Sequence, residues 1–130
     1  VDGSDPLQLT AAHTELAEAV LPPIIDPPVD ERSAAFCCAC DRNGYVAAHN
    51  RVYSHPQRPN DPVWNAANSR NRRMFDDRAG VAAARTLKSM TQTYARDMGG
   101  GNFVLMKEFD APITVRGRHW GAIRYGLRLG

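Results

Sequence analysis

Polar side chains at helical spacing mark one stretch in the middle of the chain. They are separated by three, four and four residues: Asn65, Asn68, Arg72 and Asp76. On an α-helix, residues at this spacing share one face. Amide and guanidinium donors suit a small anion such as a carboxylate, whose charge strengthens the hydrogen bonds. The same groups could equally lie on a solvated helix face or fix loops, so Asn65, Asn68 and Arg72 are candidate ligand-binding residues.

A second set of candidates lies on predicted strands. Tyr94 and Arg96 alternate along one strand and therefore share a face. Lys107 lies among apolar residues in another strand, where its ammonium must reach solvent, join a structural ion pair or meet a ligand. His119 and Trp120 stand at a strand end, where the indole would anchor packing or form a pocket wall. Together these residues predict a pocket for a small anionic ligand.

The cysteines and histidines suggest a second possibility, which is the binding of a metal or haem. Cys37, Cys38 and Cys40 form an odd, clustered set, which is not a disulfide framework and favours a reducing compartment. Their spacing lacks the paired ligands of a typical zinc site, and buried structural thiols are more common. We expect no cofactor. The alternative is a haem- or metal-based redox or gas sensor that would use His49, His119 and the thiols of Cys38 and Cys40.

Composition describes an ordinary folded domain. The chain has 130 residues, of which 43% are hydrophobic and 23% are charged, and no apolar run is long enough to span a membrane. The net charge of +2 is unevenly distributed, because residues 1–33 carry −6 and residues 34–130 carry +8. Acidic residues interrupt the arginine clusters, so we expect no nucleic-acid partner. No motif of a hydrolase, phosphate-binding loop or metalloprotease is present, so we expect no enzyme.

The predicted elements divide one domain into two parts. Residues 1–33 form an N-terminal helix and a connector: Asp5 and Gln8 cap the helix, apolar residues follow at helical spacing, and Pro22-Pro23 end or bend it. Residues 24–31 are predicted to be an extended connector. Residues 34–130 form the core.

Five strands are predicted in the core, at residues 34–40, 45–49, 89–96, 103–115 and along the last segment. A tight turn at residues 41–44 joins the first two strands, and Pro112 interrupts the fourth. A helical insert, capped by Asp61 and Pro62, separates strands 2 and 3. This order is α+β, with a PAS/Cache-like five-stranded antiparallel sheet.

Short blocks along nearly the whole chain resemble a sensory module of bacterial methyl-accepting chemotaxis proteins. They are residues 40–45 (CDRNGY) with 49–51 (HNR), 61–65 (DPVWN), 71–78 (NRRMFDDR), 92–94 (QTY) with 96–101 (RDMGGG), 106–107 (MK), 111–113 (API) and 117–121 (GRHWG). The resemblance implies a cytoplasmic sensor piece of a chemoreceptor, attached to the receptor's helical signalling region and without direct membrane contact.

A function follows from the pocket and the resemblance together. A small ligand would bind between the sheet and the helical insert and shift the domain between two packings. The N-terminal helix would pass this shift to the signalling region and pair with a second copy, which gives a homodimer. A ligand-free dimerisation module is the remaining alternative.

Overall fold

The computed structural model describes residues 2–31 and 34–129. Its helices are α1 (Thr14–Val20), α2 (Pro22–Asp30), α3 (Pro62–Asn68) and α4 (Arg78–Arg85), with a 3-10 turn at Arg51–Tyr53. Its strands are β1 (Phe36–Asp41), β2 (Tyr45–Val46), β3 (Arg73–Met74), β4 (Met90–Asp97), β5 (Phe103–Val115) and β6 (Arg118–Arg128). In the part of the chain described, no helix is long and apolar enough to cross a membrane.

The strands form two sheets, so the expected PAS/Cache-like single five-stranded sheet is wrong although the α+β class agrees. The segment expected as a helical insert also contains a strand, because β3 lies between α3 and α4. Four strands make the main antiparallel sheet in the order β1-β6-β5-β4. The predicted second strand contains only Tyr45 and Val46, and it pairs with β3 instead of joining the main sheet. The reason is the turn before it: Gly44 adopts a positive φ of 87° and its carbonyl accepts a hydrogen bond from Phe75, which draws the chain toward β3.

The N-terminal segment also differs from the prediction. The Asp5 cap does not start a helix, because α1 begins at Thr14 and the backbone N–H of Asp5 donates to Gln57. Pro22-Pro23 do end α1 as expected, but the predicted extended connector is the helix α2. Its second proline pair removes two backbone donors, and packing compensates: Ile25 is completely buried against Cys37 and neighbouring apolar side chains.

The inner face of the main sheet carries charge where an apolar surface is usual. Where the register is regular, which excludes the part of β5 and β6 beyond the shift at Ile113 and Thr114, residues with even numbers share this face. Cys38 lies opposite Arg124, and Arg124 lies opposite Asp110. Apolar members of the face, such as Met106 and Ala122, join one core cluster with Ala84 of α4. The inner face is therefore covered by the segments between β2 and β4.

The outer face is only partly covered. Ile25 of α2 packs there against Cys37 of β1 and Ile123 of β6. Farther along the sheet, Phe103 and Leu105 of β5 remain exposed. The N-terminal helices therefore cover one part of the outer face, and the part around Phe103 and Leu105 is exposed to solvent.

Candidate functional site

A cleft of about 210 Å³ lies between the inner face of the sheet and the segment that follows α3. We call it the arginine cleft, because its walls include four arginines together with a histidine and a tyrosine: Arg70, Arg73, Arg96, Arg124, His49 and Tyr94. Its volume equals about seven water molecules at roughly 30 Å³ each. The cleft therefore suits a molecule of few heavy atoms.

Backbone hydrogen bonds hold the cleft's outer wall in place. The N–H of Arg70 donates to Tyr53, that of Arg72 donates to Val46, and that of Phe75 donates to Gly44. These bonds tie the segment after α3 to the chain that leaves β1. The two arginines at positions 70 and 73 are thereby positioned opposite the sheet.

Arg96 of β4 is a buried cation without an ionic partner. It is 5% exposed, and its guanidinium carbon lies 4.3 Å from the ring centre of Phe36 and 4.5 Å from that of Tyr53. Its Nη2 has no hydrogen-bond partner among the described residues, and none of the ion pairs found there includes it. A buried charge in this state is unfavourable until an anion meets it.

Arg70 and Arg73 add two further cations without carboxylate partners in the described part of the chain. Nη1 of Arg70 donates to the carbonyls of Ala66 (2.8 Å) and Asp97 (2.9 Å), whereas its buried Nε has no partner there. Burial, together with the charges of Arg96 and Arg73, lowers the pKa of Arg70 to about 9. The pKa of Arg70 is thus depressed mainly by burial, and the neighbouring positive charges add to the effect.

Arg124 of β6 differs from these three because it has a carboxylate partner. It donates two hydrogen bonds to Glu108 of β5, at 2.8 and 2.9 Å, and the hydroxyl of Tyr94 donates a third at 2.6 Å. Burial would lower the pKa of Arg124, but the charge and hydrogen bonds of Glu108 raise it well above its ordinary value. Arg124 and Tyr94 thus form a rigid back wall.

A second acid lies beside this pair. The carboxyls of Glu108 and Asp110 lie two positions apart on the buried inner face of β5, and the repulsion between two buried carboxylates favours a proton on one of them. Burial, the hydrogen bond with Glu108 and the charge of Glu108 raise the pKa of Asp110 to about 8. Burial would also raise the pKa of Glu108, but hydrogen bonds from Asp110 and the charge of Arg124 lower it overall. The proton therefore belongs to Asp110.

His49 contributes a neutral imidazole to the cleft. Its Nδ1 is hydrogen-bonded to Asn50, which leaves Nε2 to meet a ligand. Burial, and then the charges of Arg96 and Arg70, hold the pKa of His49 well below its ordinary value.

Acidic side chains lie at the rim of the cleft. Asp76, Asp77 and Asp97 are exposed, in contrast to the buried arginines. The charges of Asp97 and Asp77 partly offset the burial that lowers the pKa of Arg73. The interior of the cleft is therefore cationic and its mouth is acidic.

Of the predicted ligand-binding residues, the cleft contains Tyr94 and Arg96. Asn65 is buried, but its amide is fully used: it accepts from the N–H of Arg58 and donates to the carbonyls of Arg58 and Asp5. Asn68 donates to the carbonyl of Trp64 within α3. For Asn65 the structure corresponds to the loop-fixing alternative, whereas the side chain of Asn68 bonds within its own helix.

Arg72 lies outside the arginine cleft. Its backbone has a positive φ of 58°, so the predicted helical face from residue 65 to 76 is interrupted there. The guanidinium donates to Glu18 of α1 at 2.7 Å, and this hydrogen bond raises the pKa of Arg72. Arg72 therefore joins the N-terminal helices to the core.

The other three predicted residues are also elsewhere. Lys107 is exposed on the outer face, with Nζ 5.6 Å from the ring centre of Phe109. Trp120 packs edge-on against the ring of His13 at 5.3 Å, and the neighbouring His119 does not line the cleft. These placements give Lys107 a solvated position and Trp120 a packing role.

The residues named for a metal or haem are not assembled into one site. His49 and Cys38 line the arginine cleft, whereas Cys40 and His119 do not. Within residues 2–31 and 34–129, no group of three or more His, Cys, Asp or Glu side chains could hold a metal ion. Burial raises the pKa of Cys40 to about 11, against a lowering by Arg124, so this thiol does not ionise near neutral pH. The arginines also make the cleft unfavourable for a cation.

Sequence reasoning missed three of the four arginines: Arg70, Arg73 and Arg124. Arg70 and Arg73 were not selected because they follow the end of α3 and do not share the helical spacing of the candidate residues there. A signal existed for Arg124, whose neighbours on the same face are Ala122 and Gly126. Small residues indicate a closely packed face, and a Cβ at Gly126 would collide with the ring of Phe36.

Comparison with known proteins does not identify a family. No protein-family model matches this chain, and no curated protein matches it. The resemblance to chemoreceptor sensory modules therefore depends on the sequence blocks alone.

Proposed function

We propose that this chain is a cytoplasmic sensory domain of the chemoreceptor type, which binds a small anion in the arginine cleft. The observation that carries the proposal is Arg96, a buried guanidinium whose Nη2 has no hydrogen-bond partner and which joins none of the ion pairs found among the described residues. Nearly all buried charges in proteins are paired. An anion in the cleft would supply the missing partner.

The neighbours of Arg96 favour an anion over other ligands. Arg70 brings a second unpartnered donor, its buried Nε, and the imidazole of His49 adds a neutral hydrogen-bonding group. The size of the cleft, about 210 Å³, is below the roughly 300–1,000 Å³ of typical drug-sized sites. A small carboxylate or an inorganic oxyanion fits this combination of size and charge better than a haem.

Binding of simple anions to the purified domain tests the proposal. Acetate, phosphate and sulfate would be titrated at low ionic strength, with the affinity measured by calorimetry and by amide NMR shifts. Arg96→Gln should weaken the best of these anions roughly tenfold to a hundredfold, because a hydrogen bond to a charged group contributes about 1.5–3 kcal/mol. Arg72→Gln is the matched control, since that arginine lies outside the cleft and should leave the affinity unchanged.

Two outcomes would contradict the proposal. In one, none of the three anions binds. In the other, the affinity falls equally in both variants, which would assign binding to the general surface charge. The absence of binding would move support to the ligand-free dimerisation module.

A sensor must also report occupancy beyond the cleft. We expect the anion to change amide hydrogen exchange in α2, which packs on the opposite face of the sheet through Ile25. If the anion slowed amide hydrogen exchange only in residues around the cleft, the domain would bind the anion without passing a change to α2. The signalling region of the parent receptor and a second copy of this domain are the proposed partners.

A further inference from the structure

The Glu108–Asp110 pair is a buried acidic cluster on the back wall of the cleft. The two residues are 0% and 2% exposed and lie two positions apart on the inner face of β5. Oδ1 of Asp110 is buried and has no hydrogen-bond partner among the described residues. Two carboxyls this close in a buried site do not both ionise readily.

The groups that face the pair explain why it retains one proton. From β4, Gln92 donates to Asp110 at 2.8 Å and the hydroxyl of Tyr94 donates to Glu108. From β6, Arg124 supplies the single cation that faces the pair in the described part of the chain.

The remaining packed elements add no further cation. From β1, Cys38 and Cys40 contribute thiols whose pKa values are raised by burial, so they are neutral. On α4, the charged residues Arg78 and Arg85 are exposed. One cation therefore faces two acids.

The pair is connected to the cleft through two residues that line it. Arg124 and Tyr94 both hydrogen-bond to Glu108 and both form part of the cleft wall. Loss of the proton from Asp110 would place a second negative charge behind this wall. The potential inside the cleft would become less positive, and Arg124 would be drawn toward two carboxylates instead of one.

We propose that the Glu108–Asp110 pair couples anion binding in the arginine cleft to one proton, so that the protonated pair binds the anion more tightly than the ionised pair. This inference rests on the proposed function. By linkage, a bound anion must in turn make the pair hold its proton more tightly. The cleft would then sense the anion and the pH together.

Acetate is a suitable probe, because its own charge is constant above pH 6. Its dissociation constant would be measured from pH 6.5 to 9 for the wild type and for Asp110→Asn, which keeps the shape of the protonated acid. The affinity of the wild type for acetate should fall at least fivefold between pH 6.5 and 9, which is the lower end of typical coupling between two sites. The affinity of the variant should fall less than twofold. Glu15→Gln, which removes an exposed acid that does not line the cleft, should retain the wild-type pH dependence.

The variant also separates this effect from the titration of Arg70, whose pKa of about 9 affects both proteins equally. Equal weakening in the wild type and in Asp110→Asn would overturn the coupling and leave the anion site intact. Absence of acetate binding at every pH, with phosphate and sulfate also failing to bind, would overturn the proposed function and the coupling with it.

A measurement on the wild type alone guards against a misfolded variant. Carbon-13 NMR of the side-chain carboxyls should show one acid of the pair titrating near pH 8, and its titration should move to higher pH when acetate is saturating. A titration that acetate does not move would overturn the coupling.

Discussion

A buried guanidinium without a counter-ion lowers the free energy of unfolding, and favourable contacts elsewhere in the molecule must compensate for it. Arg96 retains its contacts with the rings of Phe36 and Tyr53, but its charge has no ionic partner in the described chain. Sites that bind ligands are commonly destabilised in this way when empty. The stability of the domain should therefore increase when this charge is removed.

Arg96→Met tests that expectation. The thioether can keep the apolar contacts of the long side chain without burying a charge, so we expect the free energy of unfolding to rise by about 1–3 kcal/mol. Urea denaturation at low ionic strength measures it. Arg72→Met, which breaks an exposed ion pair with Glu18, should change stability by less than about 1 kcal/mol. A loss of stability in Arg96→Met would mean that the cation is well solvated in place.

Asp110 predicts a specific pH dependence of stability. Its pKa is about 8 in the fold against an ordinary 3.8, so between these values the folded chain keeps a proton that the unfolded chain releases. The contribution of this group to the free energy of unfolding therefore falls as the pH rises through this window, and it levels off above about pH 8.

Asp110→Asn should remove that decline, because an amide does not titrate. Urea denaturation at intervals from pH 5 to 9 would compare the two proteins, with the wild type losing stability relative to the variant as the pH increases. Parallel pH profiles would show that Asp110 is ionised in the folded protein. Asp97→Asn serves as the control, since it alters an exposed acid.

At the scale of elements, the two faces of β5 lie in different environments. Met106 is completely buried in the main core cluster, whereas its neighbour Leu105 is 52% exposed on the outer face. Alternation between faces is the ordinary geometry of a strand. The unusual feature is that apolar residues also occupy the exposed side.

Matched substitutions on this strand test the assignment of faces. Met106→Ala should lower the free energy of unfolding by about 2–5 kcal/mol, because it opens a cavity in the core. Leu105→Ala should lower it by less than about 1 kcal/mol. Thermal and urea unfolding would measure both, and similar losses in the two variants would show that the outer face is covered in solution.

Two elements that depend on local signals were predicted correctly, although the capping signal at Asp5 was not followed by a helix. The turn at residues 41–44 forms, with the N–H of Gly44 donating to Asp41. The helix after Asp61 forms as well, with the aspartate accepting from the N–H of Trp64. Both features depend on the chemistry of adjacent residues, which a sequence displays directly.

The elements that depend on tertiary contacts were not predictable in the same way. Proline pairs indicate extended chain, yet α2 is helical because Ile25 is buried against the sheet. The charged inner face was missed for a related reason: Glu108 and Arg124 are tolerated there only because the register of β5 and β6 brings them together. Which side chains will meet across strands is not visible in a single sequence.

At the scale of the whole molecule, the N-terminal helices carry an exposed apolar stripe. Leu16, Val20 and Ile24 follow one another at four-residue intervals, and each is at least half exposed. Arg72 fastens these helices to the core through Glu18. Leu16 and Val20 belong to α1 and Ile24 to α2. Neighbouring exposed apolar side chains often mark a surface that contacts a partner, which favours this segment for the proposed homodimer contact.

Mass measurement by light scattering tests that proposal. We expect the wild type to be a dimer, and the double variant Leu16→Lys with Ile24→Lys to weaken the dimer at least tenfold, because it buries charge in the interface. Leu87→Lys is the control, since Leu87 is 78% exposed at a different place in the fold. A monomeric wild type at high concentration would contradict the proposed dimer of the isolated domain.

Cys37 and Cys38 are consecutive residues on β1, but they belong to opposite sides of the sheet. Cys38 lines the arginine cleft, whereas Cys37 packs against Ile25 of α2. Because protein interiors are closely packed, side chains on either face of β1 have little room to move independently. A small twist of β1 that changes the cleft would therefore also change how α2 packs on the sheet. In the proposed sensor, a change at the cleft would therefore reach α2 across a single peptide bond.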